Sequence, residues 1–287
     1  MMTKIFPYSF LADELENVLQ KAAQSSIPLA TLPIDQTEKL IGGLSPNRVV
    51  TIAGKPSAGK SSIAAYIATC CAKQEQPVLY ISYEMPKSSL AIRSISCASD
   101  FRYTSNEISS SFPSADEKLM RYLIGYHDEI AASLCFINEQ LSVEGINLAV
   151  QRFRQQFNRT PIVIIDYVQI MPDLSGKKGS ADQSRIRRAA RGLRKIAAQN
   201  STCVIALSSL TRTAYNSAKA DIGSLGGAAQ LEYESDVVSM LLPKEEPTKT
   251  PKGTVQKLEF RTFKNRYGAI GSTDLFYYPD YCSFEEG

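Results

Sequence analysis

Residues 54–61 read Gly-Lys-Pro-Ser-Ala-Gly-Lys-Ser, a G-x-x-x-x-G-K-[ST] string that allows few folds around it. An apolar, β-branched run (49–53) precedes it and a helical pattern (61–73) follows. Glycines at 54 and 59 let the backbone wrap closely enough to aim its amides at a phosphate. Lys60 adds a cation directed at the β- and γ-phosphates, and the Ser61 hydroxyl is suited to Mg²⁺. The positive end of the following helix points at the same anion.

Further apolar runs at 78–82, 162–166, 203–207 and 237–242 are short and continuous. Helical patterns at 88–99, 116–132, 144–157 and 185–199 separate most of them. That alternation predicts an α/β domain with a mostly parallel central sheet and helices on both faces. The tail differs. Runs at 256–263 and 272–278 alternate and flank Lys264-Asn265-Arg266-Tyr267-Gly268, which predicts a C-terminal antiparallel hairpin. Residues 11–24 carry one apolar stripe (Leu11, Leu15, Val18, Leu19, Ala22) between Pro7 and Pro28, so a short amphipathic helix and linker over 1–29 precede a domain over 30–287.

Two acids stand where such a sheet places chemistry, beyond the carboxyl ends of its strands. Asp166 ends the run Ile162-Val163-Ile164-Ile165, in position to hold Mg²⁺ or its water. Glu84 follows Val78-Leu79-Tyr80-Ile81-Ser82 and is placed to polarise an attacking water. Either acid alone could be no more than a solvated strand end, the lesser of the two readings. Together with the phosphate loop they predict hydrolysis of a nucleoside triphosphate, with ATP and Mg²⁺ as cofactors.

Composition narrows the remainder. Six scattered cysteines and the single His127 argue against a zinc site and predict reduced, buried thiols. His127 lies in a helical pattern and reads as an ordinary surface or core residue. No apolar run is long enough to span a bilayer, and a cytoplasmic location is expected. The net charge of +3 hides a local excess, since residues 177–195 hold eight basic side chains against Asp182 alone.

In these segments the chain resembles the RecA-like ATPase domain of DnaB-type replicative helicases, hexameric helicases of superfamily four, over roughly residues 30–287. Ile41-Gly42-Gly43-Leu44 is similar to the lead-in to the phosphate-loop strand, and 54–61 to the family's Walker A segment. Ser82-Tyr83-Glu84-Met85 resembles its S-L-E-M motif, and Ile165-Asp166-Tyr167-Val168-Gln169 its I-D-Y-L-Q motif. Residues 206–212 resemble A-L-S-Q-L-N-R, Glu232-Tyr233-Glu234-Ser235-Asp236 an acidic stretch, and Lys264-Asn265-Arg266-Tyr267-Gly268 the K-x-R-x-G segment. The likeness implies a RecA-like P-loop NTPase fold and an ATP-driven hexameric ring that translocates 5′ to 3′ on single-stranded DNA and unwinds duplexes during replication. It implies nucleotide binding by Gly54, Lys55, Pro56, Ser57, Ala58, Gly59, Lys60, Ser61, Ser62 and Arg212, metal binding by Ser61 and Asp166, and catalysis by Lys60 and Glu84. Lys264 and Arg266 would reach the neighbouring subunit's nucleotide; in isolation they would pass for a basic hairpin turn. Lys177, Lys178 and Arg185 are the expected DNA contacts around the first channel loop, and Gly226, Gly227 and Ala229 around the second. The helix carrying Arg185, Arg188 and Arg191 reads more readily as a solvated or intersubunit face than as a DNA contact.

The chain departs from the family pattern in three places. Ser209 stands where the family has the glutamine thought to sense the γ-phosphate, which puts coupling in doubt. Gly226-Gly227-Ala228-Ala229 replaces an arginine-bearing channel loop, leaving backbone amides to hold phosphate less strongly. The amino-terminal collar that recruits primase is expected to be absent, the helix over 11–24 resembling the linker helix that docks on an adjacent subunit. These departures leave open a RecA-fold switch ATPase without helicase activity, akin to RadA or KaiC and acting in recombination or defence. A subunit that binds nucleotide without turnover is disfavoured by Glu84, Asp166 and Arg266. A helicase loader or primase is a further possible partner.

Overall fold

The computed structural model describes residues 27–111, 116–173, 182–210 and 228–287. The helix expected over 11–24 lies outside them, as do Lys177, Lys178, Arg212, Gly226 and Gly227. In chain order the elements are α1 (Asp35–Ile41), β1 (Arg48–Gly54), α2 (Lys60–Lys73), β2 (Val78–Ser82), α3 (Lys87–Ala98), α4 (Ser105–Ser111), α5 (Glu117–Glu129) and β3 (Leu134–Ile137). They continue with α6 (Val143–Phe157), β4 (Ile162–Asp166), α7 (Asp182–Asn200), β5 (Cys203–Ser209), α8 (Ala228–Glu234), β6 (Val237–Pro243), β7 (Thr248–Thr250), β8 (Gly253–Asn265), β9 (Gly271–Tyr278) and β10 (Ser283–Glu286).

The strands form one sheet in the order β10-β9-β8-β6-β1-β5-β4-β2-β3, with β7 paired to β8 alone. Strands β6 to β3 along that path are parallel. Those from β8 to β10 are antiparallel. The parallel strands are apolar on both faces. Val50, Ile52, Tyr80, Ile164 and Ile205 face a cluster built with α2 and α3, while Val49, Leu79, Ile81, Val163 and Val204 face α6 and α7. Burial on both faces is why these strands read as unbroken apolar runs rather than alternating ones. Side-chain caps fix two helix starts: the Asp116 carboxylate accepts from the Leu119 amide at 2.8 Å, and Ser142 Oγ from the Gly145 amide at 3.3 Å.

Five cysteines are buried and Cys135 is half-buried, all as free thiols. His127 is exposed beside Asp128. The edge strand β3 was not foreseen, because four residues carry no readable period and follow directly on a helical pattern.

Two positions make the packing testable. A Cβ at Gly192 would overlap the Val143 side chain, so α7 packs against the start of α6 through this glycine. Alanine there gains about 1 kcal/mol of helix propensity but incurs roughly 1–3 kcal/mol of overpacking. Gly192→Ala is therefore expected to lower the melting temperature, and Val143→Ala added to it to restore much of the loss.

Glu38 sits at the junction of the amino-terminal segment with α1, its Oε2 accepting from the Leu32 amide at 3.2 Å. Burial, opposed by that amide and helped by Asp35, pushes its carboxyl up to about 7 from an ordinary 4.5. The folded chain thus holds a proton that the unfolded chain releases, and stability should fall as pH rises between these values. Glu38→Gln is expected to flatten that decline; parallel melts at pH 5 and pH 8 read it directly.

Candidate active site at the carboxyl ends of the parallel strands

The central strand β1, flanked by β5 and β6, ends at Gly54, where a Cβ would stand 3.1 Å from the Leu241 carbonyl oxygen and 3.3 Å from Lys60 Cγ. The chain then turns through Ser57 and Gly59, at φ of 62° and 88°, before α2 begins at Lys60. Both residues lie in the left-handed region, which glycine adopts without steric cost. The turn closes with the Ala58 amide donating to the Lys55 carbonyl at 3.2 Å. Lys60 Nζ donates to the carbonyls of Gly54 at 3.0 Å and Lys55 at 2.8 Å, which holds the ammonium over the loop. Burial draws this ammonium below the usual lysine range, against the opposing pull of Asp166 and Glu84.

Those acids line the same cleft, of about 650 Å³, with Ser61, Ser209 and Met85. Asp166 is 1 % exposed and accepts from the Tyr80 hydroxyl at 2.9 Å. Burial raises its carboxyl, while hydrogen bonds from Ser61 and Tyr80 and the charges of Lys60 and Arg93 pull the other way. Glu84 stands on a turn fixed by neighbours. Ser82 Oγ accepts from the Met85 amide at 2.8 Å, and Asn138, just past β3, donates to the carbonyls of Ser82 and Met85.

Four contributors escaped sequence reasoning. Arg93, from the middle of α3, places a second cation in the cleft and donates to Ser62 Oγ at 3.2 Å. Tyr277 of β9 shares that hydroxyl at 2.7 Å; burial pushes its phenol up to about 12, so it stays protonated. Tyr80 and Asn138 complete the set. None has a local signature: Asn138 and Tyr277 arrive from elements distant in sequence, and Tyr80 and Arg93 sit in an apolar strand and an amphipathic helix whose patterns packing alone explains. Gln169 Oε1, in turn, accepts from the Ser209 amide at 3.2 Å and so holds the end of β5 against the turn after β4.

Lys264 and Arg266 are not brought to this cleft. By register, Val50 pairs with Val237, which pairs with Asn265, whereas the cleft opens four residues further along β1 at Gly54. At about 3.3 Å per residue that is roughly 13 Å of strand. Here Lys264 Nζ donates to the Glu232 carbonyl and Arg266 Nη2 to that of Tyr233 at 3.2 Å. On α7 several of the basic residues are engaged within the protomer. Arg185 donates to the Gln169 carbonyl at 2.8 Å, Arg188 pairs with Asp173, and Arg191 lies 3.5 Å from Glu234. Ala229 falls in the first turn of α8.

A glycine-wrapped loop between a central parallel strand and its helix, with acids beyond two neighbouring strands, defines a RecA-like P-loop NTPase domain. Residues 32–286 match the sequence profile of the DnaB-like helicase C terminal domain, and the chain belongs to that family. A probable replicative DNA helicase from Trieres chinensis is 28 % identical over 254 residues, covering 86 % of this chain and 55 % of that protein. The replicative DNA helicase DnaB of Pasteurella multocida (strain Pm70) is 24 % identical over 278 residues, covering 95 % and 58 %. The chain thus spans a little over half the length of these relatives. Among solved structures, one described as an ATPase domain superposes with a TM-score of 0.79 at 22 % identity, covering 96 % of this chain and 97 % of that one. A DnaB-like replicative helicase, described with its interactions with primase, gives 0.78 at 21 %, covering 97 % and 71 %.

Asn138 offers a test of the Glu84 turn. Asn138→Ala removes both donors, and a displacement of about 1 Å at a reacting group can cost up to about a hundredfold. We expect steady-state hydrolysis to show a lower kcat with KM little changed; an unaltered kcat would mean the turn holds itself.

Proposed function

We propose that the chain is the motor of an ATP-hydrolysing DNA helicase, working as a hexameric ring that moves 5′ to 3′ along single-stranded DNA. One observation carries the reading: Lys60, Ser61, Glu84 and Asp166 converge at one end of the sheet while Lys264 and Arg266 stand at the other. The cleft itself holds Lys60 and Arg93; Lys264 and Arg266, at the far end of the strands, add their charge to transition-state charge on the γ-phosphoryl of a neighbouring subunit's nucleotide. Closing a ring lets every cleft receive the next subunit's finger.

Within the cleft the backbone N–H groups of the loop, which Pro56 lacks, cradle the β-phosphate, and Lys60 leaves its carbonyl partners for the β- and γ-oxygens. Asp166 and Ser61 offer hard oxygen donors, which fits Mg²⁺. Bound there, Mg²⁺ would neutralise charge developing on the phosphates. Glu84 orients the attacking water and accepts its proton. Lys177, Lys178, Gly226 and Gly227 then provide backbone contacts to DNA, read without regard to base sequence. A replication role brings a primase or loader as partner in the cytoplasm; among the described residues no helix is long and apolar enough to cross a membrane.

Ser209 favours a second reading, a switch ATPase. It lines the cleft with a side chain too short to reach far across it. A forked duplex separates the two. With ATP and Mg²⁺, strand separation should require the 5′ tail and disappear in Lys60→Ala, whose turnover should fall at least about a hundredfold. Hydrolysis that proceeds without strand separation would favour the switch.

A further inference from the structure

Asp236 is wholly buried and takes no part in the cleft. Three elements converge on its carboxylate. Oδ2 accepts from the Val49 amide of β1 at 2.9 Å and from Arg194 of α7, while Oδ1 faces Arg266 Nη1 at 3.3 Å. The main chain repeats the pattern: Asp236 N donates to the Val49 carbonyl at 2.8 Å, and Arg266 N to the Asp236 carbonyl at 3.0 Å. Arg194 also donates to the Asn47 carbonyl at 3.1 Å.

A buried charge is costly unless it is paired and hydrogen-bonded, and joining β1 to β6 would need only the main-chain bonds. The carboxylate instead anchors two guanidiniums that keep part of their surface exposed, 31 % for the Arg194 side chain and 43 % for that of Arg266. Both originate at informative places. Arg194 belongs to the helix that begins directly after 174–181, and Arg266 to the turn that also bonds the carboxyl end of α8, the helix after 211–227.

We propose that Asp236 is the positioning residue for the trans-acting cations: one fixed anion through which α7 and the end of α8 set the direction in which Arg266 is presented to the neighbouring subunit. This rests on the reading of Arg266 as that subunit's finger. A carboxylate held on a β-strand start is a rigid reference, and a charge-assisted bond to it restricts a long side chain that would otherwise sample many rotamers. Movement of α7 relative to the sheet pulls on Arg194 and therefore on the group that orients Arg266.

Asp236→Asn keeps the shape and the acceptor for Val49 while removing the charge. ATP turnover should fall about 10- to 100-fold, with binding of a fluorescent ATP analogue unchanged within about threefold, because the interaction lost is one made in the transition state. In an Arg266→Ala background the same substitution should cost nothing further, since it acts through that side chain. A loss of equal size in both backgrounds would overturn the proposal in favour of a merely structural carboxylate. So would full turnover in Asp236→Asn when Arg266→Ala is inactive. Full turnover in Arg266→Ala itself would instead reject the finger reading, and the positioning role with it. If Asp236→Asn does not fold, Arg194→Met tests the α7 limb. The ratio of DNA-stimulated to unstimulated hydrolysis should drop toward one, and an unchanged ratio would overturn that limb.

Discussion

The tight passage from β1 into α2 is the constraint on which the rest of the structure depends. β1 lies between β5 and β6 and is buried along its whole length, so its end cannot shift without moving the sheet. α2 is buried from Ser62 to Ala72, enclosed by the sheet, α3 and β10. Between these fixed bodies the loop has almost no freedom. Its conformation is set by packing that extends far beyond the residues that would touch a phosphate, which is the preorganisation electrostatic catalysis needs.

The antiparallel addition to the sheet does two separate things. At one end β9 brings Tyr277 against Gly59 and Ser62, so that the hairpin forms one wall of the cleft. At the other end the turn after β8 carries Arg266 to the amino-terminal margin of the parallel strands, where no acid of the cleft lies within reach. A protomer built this way presents its cleft and its basic turn at opposite ends of the strands, and the closed ring proposed above would pair each cleft with a neighbour's turn.

How legible all this was in the sequence follows from distance along the chain. Gly54 to Ser61, Glu84 and Asp166 each belong to a contiguous segment whose residue types and flanking strand announce a role, and the structure brings them into one cleft. The continuous apolar strands likewise disclosed a two-faced parallel sheet. Arg93, Tyr277 and Asn138 could not be read, because each joins the cleft from an element that has its own reason to exist. β3 was missed for want of length. Lys264 and Arg266 look like an ordinary basic turn until register shows how far they lie from their own cleft. The arginines of α7 look like an electropositive face, yet Asp173, Glu234 and Asp236, the last two well beyond that helix in sequence, partner three of them.

β8 has a further consequence. Its thirteen residues extend about 43 Å, and this one hydrogen-bonded strand packs Leu258 near the phosphate loop and ends beside the basic turn. Paired on both sides over 258–262, it is held there as a stiff beam, and a β-bulge at Phe263 sets the angle at which its last residues leave that stretch. Tilting the beam where it rests on its own nucleotide loop must displace its far tip. In the ring proposed above, each tip would lie against the next subunit's loop, and the occupancy of one site would be passed on as a mechanical displacement to its neighbour, in one direction around the circle.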